Sequence, residues 1–167
     1  MKLTYAIIPT QLGKIFVSRT EKGISRIFLT RNEGEKYLKS LRGKKDVELK
    51  KDDQGFTDLK RKFKDYFSGK KVTFPQKLDL TQSSLFQKKV WSAMQKIPHG
   101  ETRSYGWLAK KVGGSKKARA VGSACGKNPI PLIIPCHRVI RKDGGLGGFI
   151  GGLHLKQKLH KIEGVKL

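Results

Sequence analysis

Tyr105-Gly106-Trp107-Leu108-Ala109-Lys110-Lys111-Val112, then Gly113-Gly114, then Ser115-Lys116-Lys117-Ala118-Arg119-Ala120-Val121-Gly122-Ser123-Ala124-Cys125 is the stretch that decides the fold. Two helix-length segments flank a glycine pair, which is the outline of a helix-turn-helix. In the second segment Ala118, Val121, Gly122 and Cys125 recur at helical spacing, a small-residue face that lets the helix sit close to a neighbour. Cys125 reads as core there, because free cysteines are commonly buried. Lys116, Lys117 and Arg119 open the same helix. Such a face suits a DNA groove, and it equally suits a solvated helix.

Reading outward, Leu85–Lys96 places Phe86, Val90 and Met94 four residues apart, as in a helix, and Pro98–Gly100 makes a turn. After Cys125 comes an irregular stretch, Asn128–Gly152, rich in Pro and Gly, and then a helix over about His154–Ile162. The first half has a different grain. Leu3–Ile8, Lys14–Ser18 and Ile24–Leu29 read as strands with turns at Gln11–Gly13 and Glu21–Gly23. Glu33–Leu41 and Thr57–Phe67 read as helices, the second with Leu59, Phe63, Tyr66 and Phe67 on one stripe and Gly69 as its stop. A basic connection, Gly69–Ser84, joins the halves. The expected organisation is a small α/β domain over residues 1–81 and a mainly helical domain over residues 82–167.

Charge narrows the partner. The 167 residues carry a net charge of +24, a surface that attracts polyanions. Nucleic acid fits best, with an acidic membrane surface the runner-up. Residues 81–167 hold seventeen basic and only three acidic residues, Glu101, Asp143 and Glu163, so that half should face the polyanion. The longest apolar stretches, such as Leu132–Ile134, are too short to span a bilayer, and Met1–Pro9 reads as a strand rather than a secretion signal. The expectation is a cytoplasmic monomer. Two cysteines make no disulfide framework, no Cys/His cluster has zinc-ligand spacing, and no Gly-rich loop follows a strand to cradle an adenosyl cofactor. No metal and no cofactor are expected.

The chemistry concentrates in Ile134-Pro135-Cys136-His137-Arg138-Val139-Ile140. Thiolate is the nucleophile, and a nearby cation lowers a thiol's pKa, a service that His137 and Arg138 are placed in sequence to provide. A buried, inert core thiol fits these residues equally well. Asn128-Pro129-Ile130-Pro131 makes a rigid turn that joins the second helix to the cysteine segment.

The PCHR core of Ile134–Ile140 looks like the active-site signature of the O6-alkylguanine-DNA alkyltransferases, also called methylated-DNA–protein-cysteine methyltransferases. Phe86 through Trp91, Ile97 through Thr102, Ser104-Tyr105, Ala118 through Gly122, Asn128-Pro129, Gly151-Gly152-Leu153 and Glu163-Gly164 fall in that family's order and spacing. The first eighty residues resemble its variable N-terminal domain only in outline. The resemblance implies an RNase H-like α/β domain followed by a winged-helix domain bearing the site. It implies repair of O6-alkylguanine in double-stranded DNA by irreversible transfer to Cys136, and leaves open whether O4-alkylthymine is a second substrate. It makes Cys136 the acceptor, His137 the base acting through a water, and Glu163 the group that orients His137. From the residues alone, Glu163 has Lys161 or Lys166 as alternative ion-pair partners. Tyr105 would protonate the leaving guanine and press on the DNA backbone. Asn128 would brace the turn, and Arg119 would fill the gap left by a flipped nucleotide. Ser115, Lys116, Lys117, Lys127 and Arg138 complete the expected DNA contacts. Pro131, Val139, Gly147, Phe149, Ile150 and Gly151 would line the base pocket. Phe149 stands where the family often has tyrosine, and Ile150 where a small residue is frequent.

Two other readings share parts of this pattern. One is a winged-helix protein that only recognises DNA; the alkyltransferase-like proteins are such a case, and they lack the cysteine at the position of Cys136. A thiol hydrolase would need a base that survives acylation and a neutral or acidic cleft, which the charge does not suit.

Overall fold

The computed structural model describes residues 1–166. The chain forms two compact units, Met1–Leu80 and Thr81–Leu167. In the first, β1 (Lys2–Thr10), β2 (Gly13–Thr20) and β3 (Gly23–Phe28) form an antiparallel meander, because the two-residue turns Gln11-Leu12 and Glu21-Lys22 separate runs rich in β-branched and aromatic side chains. Ile15, Phe16 and Val17 in the central strand are all buried, as expected where both faces of a sheet are covered. A fourth strand, β4 (Glu48–Lys51), pairs parallel with β1 and completes the order β3-β2-β1-β4. Its sequence, ELKK, carries no alternating apolar pattern, so it is silent at the level of sequence. Charged residues on an edge strand discourage further pairing.

Two helices pack in this unit. The first, α1 (Arg31–Leu41), is capped by Thr30, whose hydroxyl oxygen accepts from the Glu33 amide. A Cβ at Gly34 would lie 2.5 Å from that of Phe16, so only glycine permits this approach of helix to sheet. The second, α2 (Thr57–Phe67), buries Leu59, Phe63, Tyr66 and Phe67. Lys77 to Asp79 lies along β3, the Ile24 amide donating to the Lys77 carbonyl at 2.8 Å and the Asp79 amide to the Ile24 carbonyl at 2.7 Å.

The second unit is mainly helical. Its first helix, α3 (Leu85–Gln95), begins with a reciprocal Ser84–Gln87 capping box and buries Val90, Trp91 and Met94, while Phe86 is half-buried. The Trp91 indole donates to the Ala124 carbonyl at 2.8 Å, which ties α3 to the helix-turn-helix. That motif is α4 (Tyr105–Val112), capped by Ser104, a turn through Gly113 (φ 149°) and Gly114 (φ 116°), a short 3-10 turn Ser115–Lys117, and α5 (Ala118–Gly126). The backbone at both glycines lies in a region L side chains rarely adopt. A two-residue parallel ladder, β5 (Arg103–Ser104) with β6 (Val139–Ile140), flanks it. The last helix, α6 (Leu153–Glu163), stops at Gly164 in the left-handed conformation, φ 69°. Among the described residues no helix is long and apolar enough to cross a membrane.

Candidate active site

The chain reaches Cys136 through a strained turn. Leu132 is buried at φ 75°, a left-handed conformation that costs a side-chain-bearing residue about 1–3 kcal/mol. Asn128 holds that turn closed, its amide nitrogen donating to the Ile134 carbonyl at 2.7 Å and its amide oxygen accepting from the Ile130 backbone at 2.9 Å. Cys136, His137 and Arg138 then form one 3-10 turn before β6. A turn, unlike a strand, lets adjacent side chains serve one site.

His137 and Glu163 meet at 2.6 Å, each with a side chain 0% exposed. Glu163 also accepts from Arg138, Nε to Oε2 and Nη2 to Oε1 both at 3.0 Å, and from the Gly100 amide at 3.0 Å. Gly100 must be glycine, since at φ 80° its Cβ would lie 2.9 Å from the Glu163 carbonyl oxygen. Burial works to raise the Glu163 pKa, but hydrogen bonds and charge from His137 and Arg138 outweigh it and hold the carboxyl well below the usual carboxylate range. Burial lowers the His137 pKa from its ordinary 6.5, against the pull of Glu163. The hydrogen bond assigns the tautomer: Nε2–H donates to Glu163, and Nδ1 is the basic nitrogen.

Cys136 and Tyr105 lie on a cavity of about 410 Å³. Its remaining wall is Gly122, Cys125 and Gly126 from α5, with Gly148, Phe149 and Ile150 from the loop before α6. Burial pushes the Cys136 thiol up to about 11 and the Tyr105 phenol up to about 12, the latter helped by the two nearby thiols. Both groups therefore hold their protons at neutral pH.

Several expected placements differ. Arg138 does not face outward: its guanidinium is committed to Glu163 and, through Nη1, to the Ile97 carbonyl at 2.7 Å, with 12% of its side chain exposed. That cancels its charge locally, so it neither activates the thiol nor offers itself to a phosphate. Pro131 and Val139 are buried and, like Gly147 and Gly151, are not among the residues that line the cavity. Gly147 instead brings the loop against the Tyr105 ring, 3.0 Å from where a Cβ would stand. Cys125 is buried with its thiol 3.7 Å from the Met94 sulfur, and it also forms cavity wall. Ala118 is exposed, and nothing lies within 4 Å of a Cβ at Gly122, so helix packing does not demand those small residues. Ser115, Lys116, Lys117, Arg119 and Lys127 are all exposed.

Two residues of the site escape the sequence reading. Lys156 is 0% exposed, and its ammonium donates to the carbonyls of Val139 (2.6 Å), Leu146 and Gly148 (3.2 Å). Burial lowers its pKa to about 8, and its charge draws the Cys136 thiol downward. His160, 3% exposed, donates from Nε2 to the His137 carbonyl at 2.6 Å. Lys156, His160 and Glu163 share one helix face at i, i+4 and i+7. That polar triplet beside buried Leu155 and Leu159 was the signal in the sequence. Among the described residues, no group of three or more His, Cys, Asp or Glu side chains is placed to hold a metal ion.

Residues 85–165 match the family described as 6-O-methylguanine DNA methyltransferase, DNA binding domain, and residues 3–80 match its ribonuclease-like domain. A methylated-DNA–protein-cysteine methyltransferase of Methanosarcina acetivorans is 39% identical over 164 residues, covering 96% of this chain and 97% of its own. The fold superposes on the Mycobacterium tuberculosis O6-methylguanine methyltransferase with a TM-score of 0.82 at 34% identity, over 96% of this chain and 92% of that one. It superposes on Mycobacterium tuberculosis OGT in complex with DNA with a TM-score of 0.78 at 32% identity, over 98% and 92%. By these matches over nearly its whole length, the chain belongs to the 6-O-methylguanine DNA methyltransferase family.

Proposed function

We propose that this protein repairs DNA by moving the alkyl group of O6-alkylguanine onto its own Cys136, once per molecule, as a monomer in the cytoplasm. The observation that carries the reading is the cavity with Cys136 on its wall and, next to Cys136 in the chain, His137 paired in the interior with Glu163. A base inside the stack is out of reach of a buried thiol, so the guanine must be flipped into the cavity. Arg119, exposed in the first turn of α5 between Ala118 and Ala120, is suited to occupy the vacated position. Ser115, Lys116, Lys117 and Lys127 are suited to the phosphates.

A thiol at about 11 is roughly one part in ten thousand ionised at pH 7. Transfer therefore needs a base at the moment of reaction. His137 takes the thiol proton at Nδ1 through a water, and Glu163 steadies the imidazolium, as in other triads. Sulfur then attacks the alkyl carbon. The carbon–sulfur bond forms as the carbon–O6 bond breaks, and the electron pair leaves on guanine. Tyr105, which keeps its proton, donates it to that developing anion. The thioether has no leaving group that these side chains could displace, so the protein is consumed. Duplex DNA containing O6-methylguanine should add one methyl group to the peptide bearing Cys136, read by mass spectrometry. A methyl on Cys125, or no adduct, refutes the reading.

A further inference from the structure

The first unit holds a cavity of its own, about 440 Å³ in volume, within the range of clefts that take a ligand, ~300–1,000 Å³. One wall is an outward face of α2: Thr57, Lys60, Arg61, Lys64 and Phe67 recur there at helical spacing. The other is the end of β1 and its turn, Pro9 to Gln11. From Thr57 to Phe67 the helix rises about 15 Å, so the cavity is a groove that matches about four or five extended residues. The cations of this face are exposed, while Leu59, Phe63 and Tyr66 of the same helix are buried. Arg61 is held by Asp58 at 2.6 Å, and the next acid of α2, Asp65, pairs with Lys70 at 3.3 Å. Among the described residues no carboxylate lies within ion-pair distance of Lys60 or Lys64. Two uncompensated cations, one turn or about 6 Å apart, thus stand over a floor that Pro9 and Phe67 make apolar.

Charge complementarity calls for an anion, and the apolar floor calls for more than a bare phosphate. A second copy of this chain is repelled, at +24 on each. Duplex phosphates meet protruding cations and leave the floor of a groove wet. A single strand binds by stacking its bases on open rings, whereas Phe67, the one aromatic residue of the lining, is 4% exposed. An acidic polypeptide segment meets both demands, its carboxylates on the lysines and an apolar side chain on the floor. Acid-rich segments are common interaction tails. Strand addition has no part in it, because β1 is already paired with β2 on one side and β4 on the other, so side chains carry the recognition. We infer that this groove docks an acidic segment of a partner protein, with carboxylates on Lys60 and Lys64 and a bulky apolar side chain against Pro9 and Phe67. The docking needs neither Cys136 nor DNA, so it is independent of the alkyl-transfer reading.

The probe is a fluorescein-labelled hexapeptide with two aspartates on each side of a central Leu-Phe, and its control carries Ser-Ser in their place. By fluorescence anisotropy the wild-type chain should bind the Leu-Phe peptide at least about tenfold more tightly than the control, the scale of one buried apolar side chain. Reversing the rim charges, Lys60→Glu with Lys64→Glu, should weaken that binding by at least about tenfold. Lys44→Glu with Lys45→Glu makes the same change in net charge at exposed positions outside the groove, and should alter it by less than about twofold. All four lysines are exposed, so both variants should melt with the wild type. Should the rim variant melt lower, the comparison of the two peptides on the wild type decides. Equal affinity for the two peptides overturns the inference, as does an equal loss in both variants, since either means diffuse attraction to a basic protein. No binding of the Leu-Phe peptide overturns it outright. If the rim reversal costs as much affinity for a labelled oligothymidine as for the peptide, while the Lys44 and Lys45 reversal does not, the groove serves nucleic acid and the inference falls. The transfer reading stands or falls separately, on the methyl adduct at Cys136.

Discussion

Replacing Glu163 by Gln strikes the centre of the buried cluster. The carboxylate receives the His137 ring, two nitrogens of Arg138 and the Gly100 amide, and its side chain has no solvent to turn to. An amide of the same shape keeps one acceptor oxygen and turns two donor hydrogens toward groups that are themselves donors. At least one of them loses its acceptor, and the guanidinium loses its counter-charge. Breaking a buried pair from one side costs about 3–5 kcal/mol. For a chain of this length each kcal/mol moves the midpoint by about 2–4 °C, so Glu163→Gln should melt about 6–20 °C lower. Below that temperature the folded variant reports on chemistry. With the imidazole no longer oriented, methyl transfer should slow by roughly 10²–10⁴, the range of a positioned general base. Circular-dichroism melts and single-turnover transfer on one preparation measure both. The sign with pH is also set. Because the folded carboxyl titrates below its usual value, its contribution is present above about pH 4.3 and lost as pH falls. The gap between wild type and variant should therefore narrow on acidification. A midpoint within about 2 °C of wild type at pH 7 would refute the energetic reasoning. A destabilised variant with the wild-type rate would leave Glu163 a structural tie with no part in the transfer.

Three further outcomes are expected. Burial keeps His137 neutral below its ordinary 6.5, so the wild-type rate with free O6-benzylguanine should stay level from pH 8 through 6.5 and fall only below that. In His137→Ala the rate should instead climb about tenfold per pH unit toward the thiol value of about 11, and a wild type that mimics that slope would remove the base. Arg119→Ala should slow repair of duplex DNA by roughly ten- to hundredfold, the scale of an unstacking cost, yet spare the free base, and equal loss on both would contradict a wedge. Lys156→Met leaves the carbonyls of Val139, Leu146 and Gly148 without their donor and should cost about 3 kcal/mol in a denaturant melt; an unaltered midpoint would show that other donors replace it.

The elements were legible where one face of a periodic segment carries large apolar side chains. The stripe of Leu59, Phe63, Tyr66 and Phe67 announces α2 at its observed ends, and the alternation of β1 to β3 announces a meander. Strand β4 was illegible because an edge strand held by backbone pairing needs no apolar signature. The site divides in the same way. Cys136 and His137 stand together in the chain, so their chemistry is visible as a motif. Lys156 and His160 act through backbone carbonyls, which the sequence does not display; it shows only their helical spacing with Glu163. The inward turn of Arg138 is a tertiary fact too: its partner Glu163 is 25 residues away, and the Ile97 carbonyl 41.

The same tertiary facts bear on why the nucleophile rests as a thiol. Burial lifts Cys136 to about 11, and Arg138, two residues further along the chain, is neutralised by Glu163 instead of depressing that value. The cation that does draw the thiol downward, Lys156, has its ammonium bound to three carbonyls and titrates near 8. For a turnover enzyme such a nucleophile would be poorly poised. For a protein consumed by one reaction the balance is different. A standing thiolate would be spent on any soft electrophile that reached the cavity, whereas a protonated thiol reacts only when a base and a correctly placed alkyl carbon are present together. Discrimination then lies in geometry: Asn128 holding a strained turn, and three polar residues of α6 gripping successive residues of the segment that carries the sulfur, His137 by ring and carbonyl, Arg138 by its guanidinium, Val139 by its carbonyl. The buried polar groups of this unit gather there because each loses water on folding and must find a partner, and here the partner is the backbone or side chain that aims the nucleophile.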